Sequence, residues 1–222
     1  MHTRPLAAAL LSMALLAPAR AATLTPTELA AALQKRYDNV RDFSADFVHT
    51  YRGGVLRKEI SEKGRVLVRK PGRFRWDYSA PEVKQFVSDG VKVYSYVPQD
   101  KQVVVTTVPV EDEASTPALF LAGKGNLARD FTATMAPLPQ GAPAGARALK
   151  LVPKAPQRDY DSLVVVVDAE TFGLRGLVTA DAQGGTSSLM FTNLRENVGL
   201  SDKDFAFKMP RGVDVISDDG RR

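Results

Sequence analysis

The stretch Arg69–Pro81, "RKPGRFRWDYSAP", puts four cations and three aromatics within thirteen residues of a basic chain. Such a mixture first suggests a surface that grips phosphates. The order of the residues argues otherwise. Within it, Phe74, Trp76 and Tyr78 fall on one side of a period-two repeat, and Arg73, Arg75 and Asp77 on the other. Successive side chains of a strand point to opposite faces, so this is the alternation of a half-buried antiparallel strand. The aromatics face a core, and the arginines face solvent or a partner.

Working outward, the same period recurs. In "DFSADFVHTYRGG" the apolar residues are Phe43, Ala45, Phe47 and Val48, and Gly53-Gly54 ends the run. "KGRVLVRKPG" reads as a second strand. "KQFVSDGVKVYSYVP" reads as a hairpin with Asp89-Gly90 as its turn, and Tyr94 and Tyr96 alternate as core aromatics. "KQVVVTTV" adds another strand. Further strands follow around Phe131, Leu149, Leu163–Val167, Leu174–Thr179 and Ser187–Leu194, separated late in the chain by turns at "DAETFG" and "DAQGG". Residues 137–145, "PLPQGAPAG", form a crossing or a hairpin end, and the tail "DDGRR" is frayed.

Helical spacing appears before the strands. In "PTELAAALQKRYDNV", Leu29, Leu33, Tyr37 and Val40 share one face. Thr25 precedes Pro26 as an N-cap, and Glu28 completes a capping box. A short helix is expected within Glu111–Asn126, capped by Ser115 or Thr116, with Pro117 in its first turn. The expected fold is mainly β: a single antiparallel, strongly curved sheet of about ten strands, an incomplete barrel, with a short helical lid over the concave apolar face. A curled sheet under a lid encloses a cavity.

Composition narrows the function. Residues 1–21 read as a secretory signal peptide: Arg4 precedes an apolar run from Leu6 to Ala17, and Ala19-Arg20-Ala21 supplies the cleavage pattern. Residues 22–222 then form one domain of an exported protein. Without Arg4 and Arg20 the chain carries 28 cations against 25 acids, a net charge of +3. The cations are interleaved with acids along the chain, so no nucleic-acid partner is expected. There is no cysteine, which excludes disulfides, thiolate chemistry and a lipid-anchoring cysteine. Outside the leader, His49 is the only histidine, and it reads as a residue at the rim of a strand. No metal site, cofactor or catalytic residue is expected. The acidic run Glu111–Glu113 reads as a solvated loop before a helix.

Three motifs resemble those of the LolA family of periplasmic lipoprotein carriers: "VRDFSADFVHT" (Val40–Thr50), "RKPGRFRWDYSAP" and "VSDGVKVYSYVPQDKQVVV" (Val87–Val105). "STPALFLAG" (Ser115–Gly123) resembles that family's lid helix. The resemblance covers most of the chain beyond the leader and is strongest from Tyr37 to Val105. It implies a monomeric, non-enzymatic periplasmic chaperone. Such a protein receives acylated lipoproteins from an inner-membrane lipoprotein-releasing ABC transporter and hands them to an outer-membrane lipoprotein acceptor. It also implies site residues: Phe43, Phe47, Phe74 and Leu121 lining an acyl-chain cavity, and Lys70, Tyr37, Leu121 and Ala122 forming a lid latch. The family places an arginine where this chain has Lys70. A lysine offers a point charge rather than a planar fork, so fewer lid contacts and an easier-opening lid are expected. Two alternatives stand beside this reading. One is a related carrier or sensor of another lipid or glycolipid, and the other is a secreted carbohydrate-active enzyme using two acids.

Overall fold

The computed structural model of the chain describes residues 24–53, 58–108, 121–123, 126–157, 160–180 and 184–218. The expected signal peptide, the Glu111–Glu113 run and the expected helix start at Ser115–Pro117 lie outside the described residues. Helix α1 (Pro26–Asp38) begins as its sequence requires. The Thr25 hydroxyl accepts from the Glu28 amide, and the Glu28 carboxylate accepts from the Thr25 amide at 2.8 Å. Leu29, Ala30 and Leu33 are buried from this helix, and Val40 is buried just beyond its end.

Among the described residues, twelve strands then form one sheet. They are β1 (Asp42–Arg52), β2 (Glu59–Arg69), β3 (Arg73–Ala80), β4 (Lys84–Asp89), β5 (Lys92–Val97) and β6 (Gln102–Thr107). After the short helix α2 (Leu127–Asp130) come β7 (Phe131–Ala136), β8 (Ala146–Pro153), β9 (Ser162–Asp168), β10 (Leu174–Ala180), β11 (Thr186–Glu196) and β12 (Asp214–Asp218). Their spatial order is β12-β6-β5-β4-β3-β2-β1-β11-β10-β9-β8-β7. All neighbours are antiparallel except β12 and β6, which run parallel. The sheet does not close: β12 and β7 are its two edges. Residues 137–145 are the end of the β7–β8 hairpin. At the β4–β5 hairpin the two-residue loop is Gly90-Val91, one residue later than the sequence suggests. Gly90 has φ +96°, and the Asp89 carboxylate accepts from the Val91 and Lys92 amides, which shifts Asp89 into the strand.

One apolar cluster lies between the sheet's inner face and the helices. It joins Leu29 and Leu33 to Phe43, Phe47, Val66, Val68, Phe74 and Trp76, and continues through Leu149, Leu151, Leu163, Val165 and Phe191. Cross-strand pairing follows the inner series: Phe47 lies opposite Phe191 on one side and Gly64 on the other, and Trp76 opposite Val66. Gly64 is required here. A Cβ at that position would collide with the Asp77 carbonyl oxygen and lie 2.8 Å from Phe47 Cζ.

The outer face carries a second, smaller cluster that sequence periodicity does not reveal. After β11 the chain returns across β2–β5 before pairing with β6. Phe205, 1% exposed, seats against β3 and β4, and Phe207 stacks on Tyr94 with ring centroids 5.0 Å apart. Val87, opposite Arg75 and Tyr94, and Val103, opposite Tyr96, are buried yet stand apart from the inner cluster. Tyr94 and Tyr96 are therefore outer-face residues covered by the return segment. The same segment engages two arginines of the opening stretch. Asp202 pairs with Arg69 and lies 3.6 Å from Arg73, while Arg75 donates to Asp77 at 2.7 Å. The arginines do face outward, but toward carboxylates of their own chain.

Replacing Gly64 by alanine must push the Phe47 ring or the β3 backbone aside. The expected loss is about 1–3 kcal/mol of folding stability, read as a lowered urea midpoint with an unchanged slope.

Candidate functional site

The inner face carries a row of aromatic rings in which Phe47 meets Trp76 and Tyr78 edge to face. Phe47 packs against Trp76 at 5.1 Å and against Tyr78 at 4.9 Å between centroids, and Trp76 lies 6.5 Å from Phe191. Such edge-on contacts favour the positive ring edge against the negative face of its neighbour. Phe43 and Phe47 are each 2% exposed, Phe74 is 5% exposed, and Leu121 and Ala122 are fully buried. These five expected positions meet in one cluster, and in this closed form side chains cover one another there.

At the β2–β3 corner a group of contacts joins that cluster to helix α1 and to Leu121–Gly123. The ammonium of Lys70 donates to the Tyr37 carbonyl and lies 3.8 Å from the centroid of the Tyr37 ring. The Tyr37 hydroxyl donates to the Leu121 carbonyl. Beside this, the Gly72 amide donates to the Ala122 carbonyl at 3.0 Å. Gly123 lies against the Lys70 stem so closely that a Cβ there would collide with Lys70 Cδ, and its φ of +85° also favours glycine. The corner itself is fixed: the Lys70 amide donates to the Arg41 carbonyl at 2.9 Å, and the Ser88 hydroxyl donates to the Gly72 carbonyl at 2.8 Å. The structure therefore brings Lys70, Tyr37, Leu121 and Ala122 together. The cation reaches the 121–123 segment mainly through Tyr37, not by direct hydrogen bonds to its carbonyls.

The alternation argument holds at this corner. Arg69 points outward, where it donates to the Leu200 carbonyl at 3.1 Å and pairs with Asp202. Lys70 points toward the helix. Burial of its ammonium lowers its pKa from 10.5 to about 8, with the carboxylates of Asp38 and Glu196 opposing part of that fall. Burial raises the Tyr37 phenol well above its ordinary value, with Glu196 adding to the rise, so it remains a hydrogen-bond donor.

Sequence reasoning missed a second polar group on the same face. His49 follows Phe43, Ala45 and Phe47 in the inward series, and Glu62 lies directly opposite it on β2. His49 Nδ1 is 3.2 Å from Glu62 Oε2, and its Nε2 is 2.8 Å from Ser187 Oγ. Lys84 donates to Glu62 at 2.6 Å and sits 4.4 Å above the Tyr78 ring, whose hydroxyl lies 3.3 Å from His49 Nδ1. Burial holds the imidazole below its usual pKa, against the raising influence of Glu62. His49 is thus a half-buried member of a polar belt. The signal was present in the strand's own alternation, which puts His49 two residues beyond Phe47 on the inner face.

Side chains fill the space over the aromatic row, and the polar contacts that join the cover to the sheet gather at one corner. The belt sets a serine, a histidine and a carboxylate in line, on strands β11, β1 and β2, whose backbones pair in that order.

The comparisons agree with the geometry. The family model described as "Outer membrane lipoprotein carrier protein LolA" matches residues 38–208. A relative from Methylococcus capsulatus named outer-membrane lipoprotein carrier protein is 33% identical over 186 residues, covering 84% of this chain and 86% of its own length. A Chromohalobacter salexigens protein of the same name is 31% identical over 210 residues, 94% of each chain. Among solved structures, an uncharacterized conserved protein from Thermus thermophilus superposes with a TM-score of 0.52 at 15% identity, over 86% of this chain and 98% of its own, a likeness of fold. The chain belongs to the LolA family of outer-membrane lipoprotein carrier proteins.

Proposed function

We propose that the protein is a periplasmic carrier that shields the acyl chains of lipoproteins released from the inner membrane and delivers them to an outer-membrane acceptor. The observation that carries this reading is the continuous aromatic lining of the inner face, Phe43, Phe47, Phe74, Trp76 and Phe191, covered at one corner by a few polar contacts. Each methylene transferred to such a face stabilises the complex by about 0.8 kcal/mol. Chains bound at that rate alone would not leave. Opening must therefore consume part of the gain, by exposing the lining and breaking the Lys70–Tyr37–Leu121 and Gly72–Ala122 contacts. The closed empty form is the reference state that weakens net affinity, and no step in the cycle calls for a catalytic group.

The direct test is native mass spectrometry of the chain from residue 22 onward, purified from the periplasm with a co-expressed outer-membrane lipoprotein. A complex that requires the lipoprotein's acyl chains is expected. A chain that comes out empty, or loaded with free lipid, would overturn the lipoprotein reading.

The latch offers two further expectations. Replacing Tyr37 by phenylalanine removes the hydroxyl that reaches Leu121 while keeping the ring under Lys70. A net hydrogen bond contributes about 1 kcal/mol, so exchange of the Gly72 amide should speed up roughly fivefold relative to amides in β9. Unchanged Gly72 protection would remove Tyr37 from the latch.

The second concerns pH. Because the folded ammonium of Lys70 titrates near 8 and the unfolded one near 10.5, the unfolded chain binds more protons between those values. Stability therefore rises with pH across that window, and the desolvation penalty is fully present below pH 8. Arginine does not titrate there. Because a guanidinium is more weakly hydrated than an ammonium, Lys70→Arg should be more stable than the parent at pH 7, and the difference should shrink as pH rises to 10. Parallel stability curves for the two proteins would count against a desolvated cation at this corner.

A further inference from the structure

The inner face holds a polar atom that the fold itself does not explain. Trp76 is 5% exposed and packs in the middle of the aromatic row, yet its indole Nε1–H is buried with no hydrogen-bond partner among the described residues. Indole nitrogens usually find a partner when buried, and an unmatched donor costs the desolvation of that group. Phenylalanine would fill much of the same space without that cost. Two residues along the same face, Tyr78 turns from apolar to polar: its ring meets Phe47 and Phe86, while its hydroxyl reaches His49. Beyond lie Lys84, Glu62 and Ser187, and then Tyr51 and Ile60, an apolar cross-strand pair at the open end, 40% and 41% exposed.

The protonation pattern of this belt is set by its geometry. A carboxylate oxygen at His49 Nδ1 requires the proton there, which leaves Nε2 to accept from the Ser187 hydroxyl. Glu62 is then an acceptor facing Lys84, and Lys84, with three N–H bonds, gives one to Glu62. Side-chain exposures of 20% for His49, 13% for Glu62 and 23% for Lys84 keep the belt reachable from the open end but shielded from bulk water. Donors therefore stand in the lining at Trp76 and at its margin at Lys84, with apolar surface on both sides of the belt.

We propose that the inner face contains a specific site for carbonyl oxygen, with Trp76 Nε1–H and Lys84 Nζ as its donors, which receives the ester or amide carbonyls that join acyl chains to a polar head. The inference rests on the carrier reading and adds that cargo is held by its linkage as well as its hydrocarbon. Acyl chains then lie along Phe47, Trp76 and Phe191, and the head emerges past Tyr51 and Ile60. The chemistry is common to an acylated protein and a free diacyl lipid.

Trp76 is the sole tryptophan of the chain, so its indole N–H gives one proton–nitrogen correlation in a spectrum of labelled protein. The probes are 1,2-didecanoylglycerol, its ether-linked analogue 1,2-didecylglycerol, and a peptide bearing S-diacylglycerylcysteine. The ester probe should move the indole resonance downfield, should bind about tenfold more tightly than the ether probe, and should lose that advantage in Trp76→Phe. A second variant, Lys84→Met combined with Glu62→Gln, removes the belt's donor without leaving an unpaired carboxylate and should reduce the ester preference. Equal binding of ester and ether probes, or an indole resonance that stays in place while the ester probe binds, would overturn the site and leave the carrier reading intact. Failure of all three probes to bind would sink both. Tighter binding of the acylated peptide than of the diacyl lipid would support the site and identify acylated protein as its source of carbonyls. Equal affinity would support a site that reads the linkage in either source.

Discussion

The aromatic inner face has to be kept from water by something that is not part of the sheet. Phe43, Phe47, Phe74 and Trp76 project from β1 and β3 into a concavity that twelve strands curl around without closing. A closed barrel would cover that surface with its own far wall. An open sheet needs a separate cover, and here helix α1 and the Leu121–Gly123 segment provide it. Cover and sheet are joined by apolar burial over a wide area and by polar contacts at one corner. The apolar burial stabilises the closed form whatever the cover's exact position. The polar contacts at Lys70, Tyr37, Gly72 and Ala122 define where it sits.

Two opposing effects meet at that corner. A buried ammonium beside a carbonyl and a phenol face gains electrostatic energy from both, and loses hydration in reaching them. Burial lowers the Lys70 pKa, and the carboxylates of Asp38 and Glu196 offset only part of that fall. An arginine at this position would disperse its charge over a plane and hydrate less strongly, so the same burial would cost less. On the proposed carrier reading, the lysine makes the closed state shallower without removing any of the apolar lining. For a protein that must release what it binds, a shallower closed state moves opening toward the range that a partner's binding energy can supply.

Much of the fold was legible because the strands between Asp42 and Glu196 obey period two. The capping box at Thr25 and Glu28 placed the start of the first helix at Pro26, where it lies, while the apolar spacing ran on to Val40, two residues past its end at Asp38. What was hidden is what period two cannot encode. β12 pairs in parallel with β6 after a return across the outer face, a long-range choice that leaves only Val215 and Ile216 as local signal, both exposed. Phe205 and Phe207 anchor that return, and nothing near them in sequence marks the surface they cover. Tyr94 and Tyr96 alternate correctly, yet alternation alone does not say which face is the inner one. The latch residues could be placed at one corner through the family resemblance. The belt could not, because Glu62, Lys84 and Ser187 come from three different strands and meet His49 only through register.

Register also places the two polar groups of the inner face far apart. From Asp42, beside the Lys70 corner, to His49 is seven residues of one strand, roughly 23 Å at the rise of an extended chain. The aromatic row lies between them. A purely apolar trough would bind any hydrocarbon in many positions, because hydrophobic contact is non-directional. Polar groups at the two ends turn a trough into a measured length, since each is costly to bury against the wrong part of a ligand. At the latch end Leu121 and Ala122 are fully buried, where a polar head group would be costly to admit. The belt end carries the Lys84–Glu62 pair, and on the carrier reading it disfavours a methyl terminus there as the latch end disfavours a head group. On the carrier reading, orientation then follows from exclusion at both ends, with the aromatic row between them supplying the affinity and the Trp76 indole N–H a donor within it.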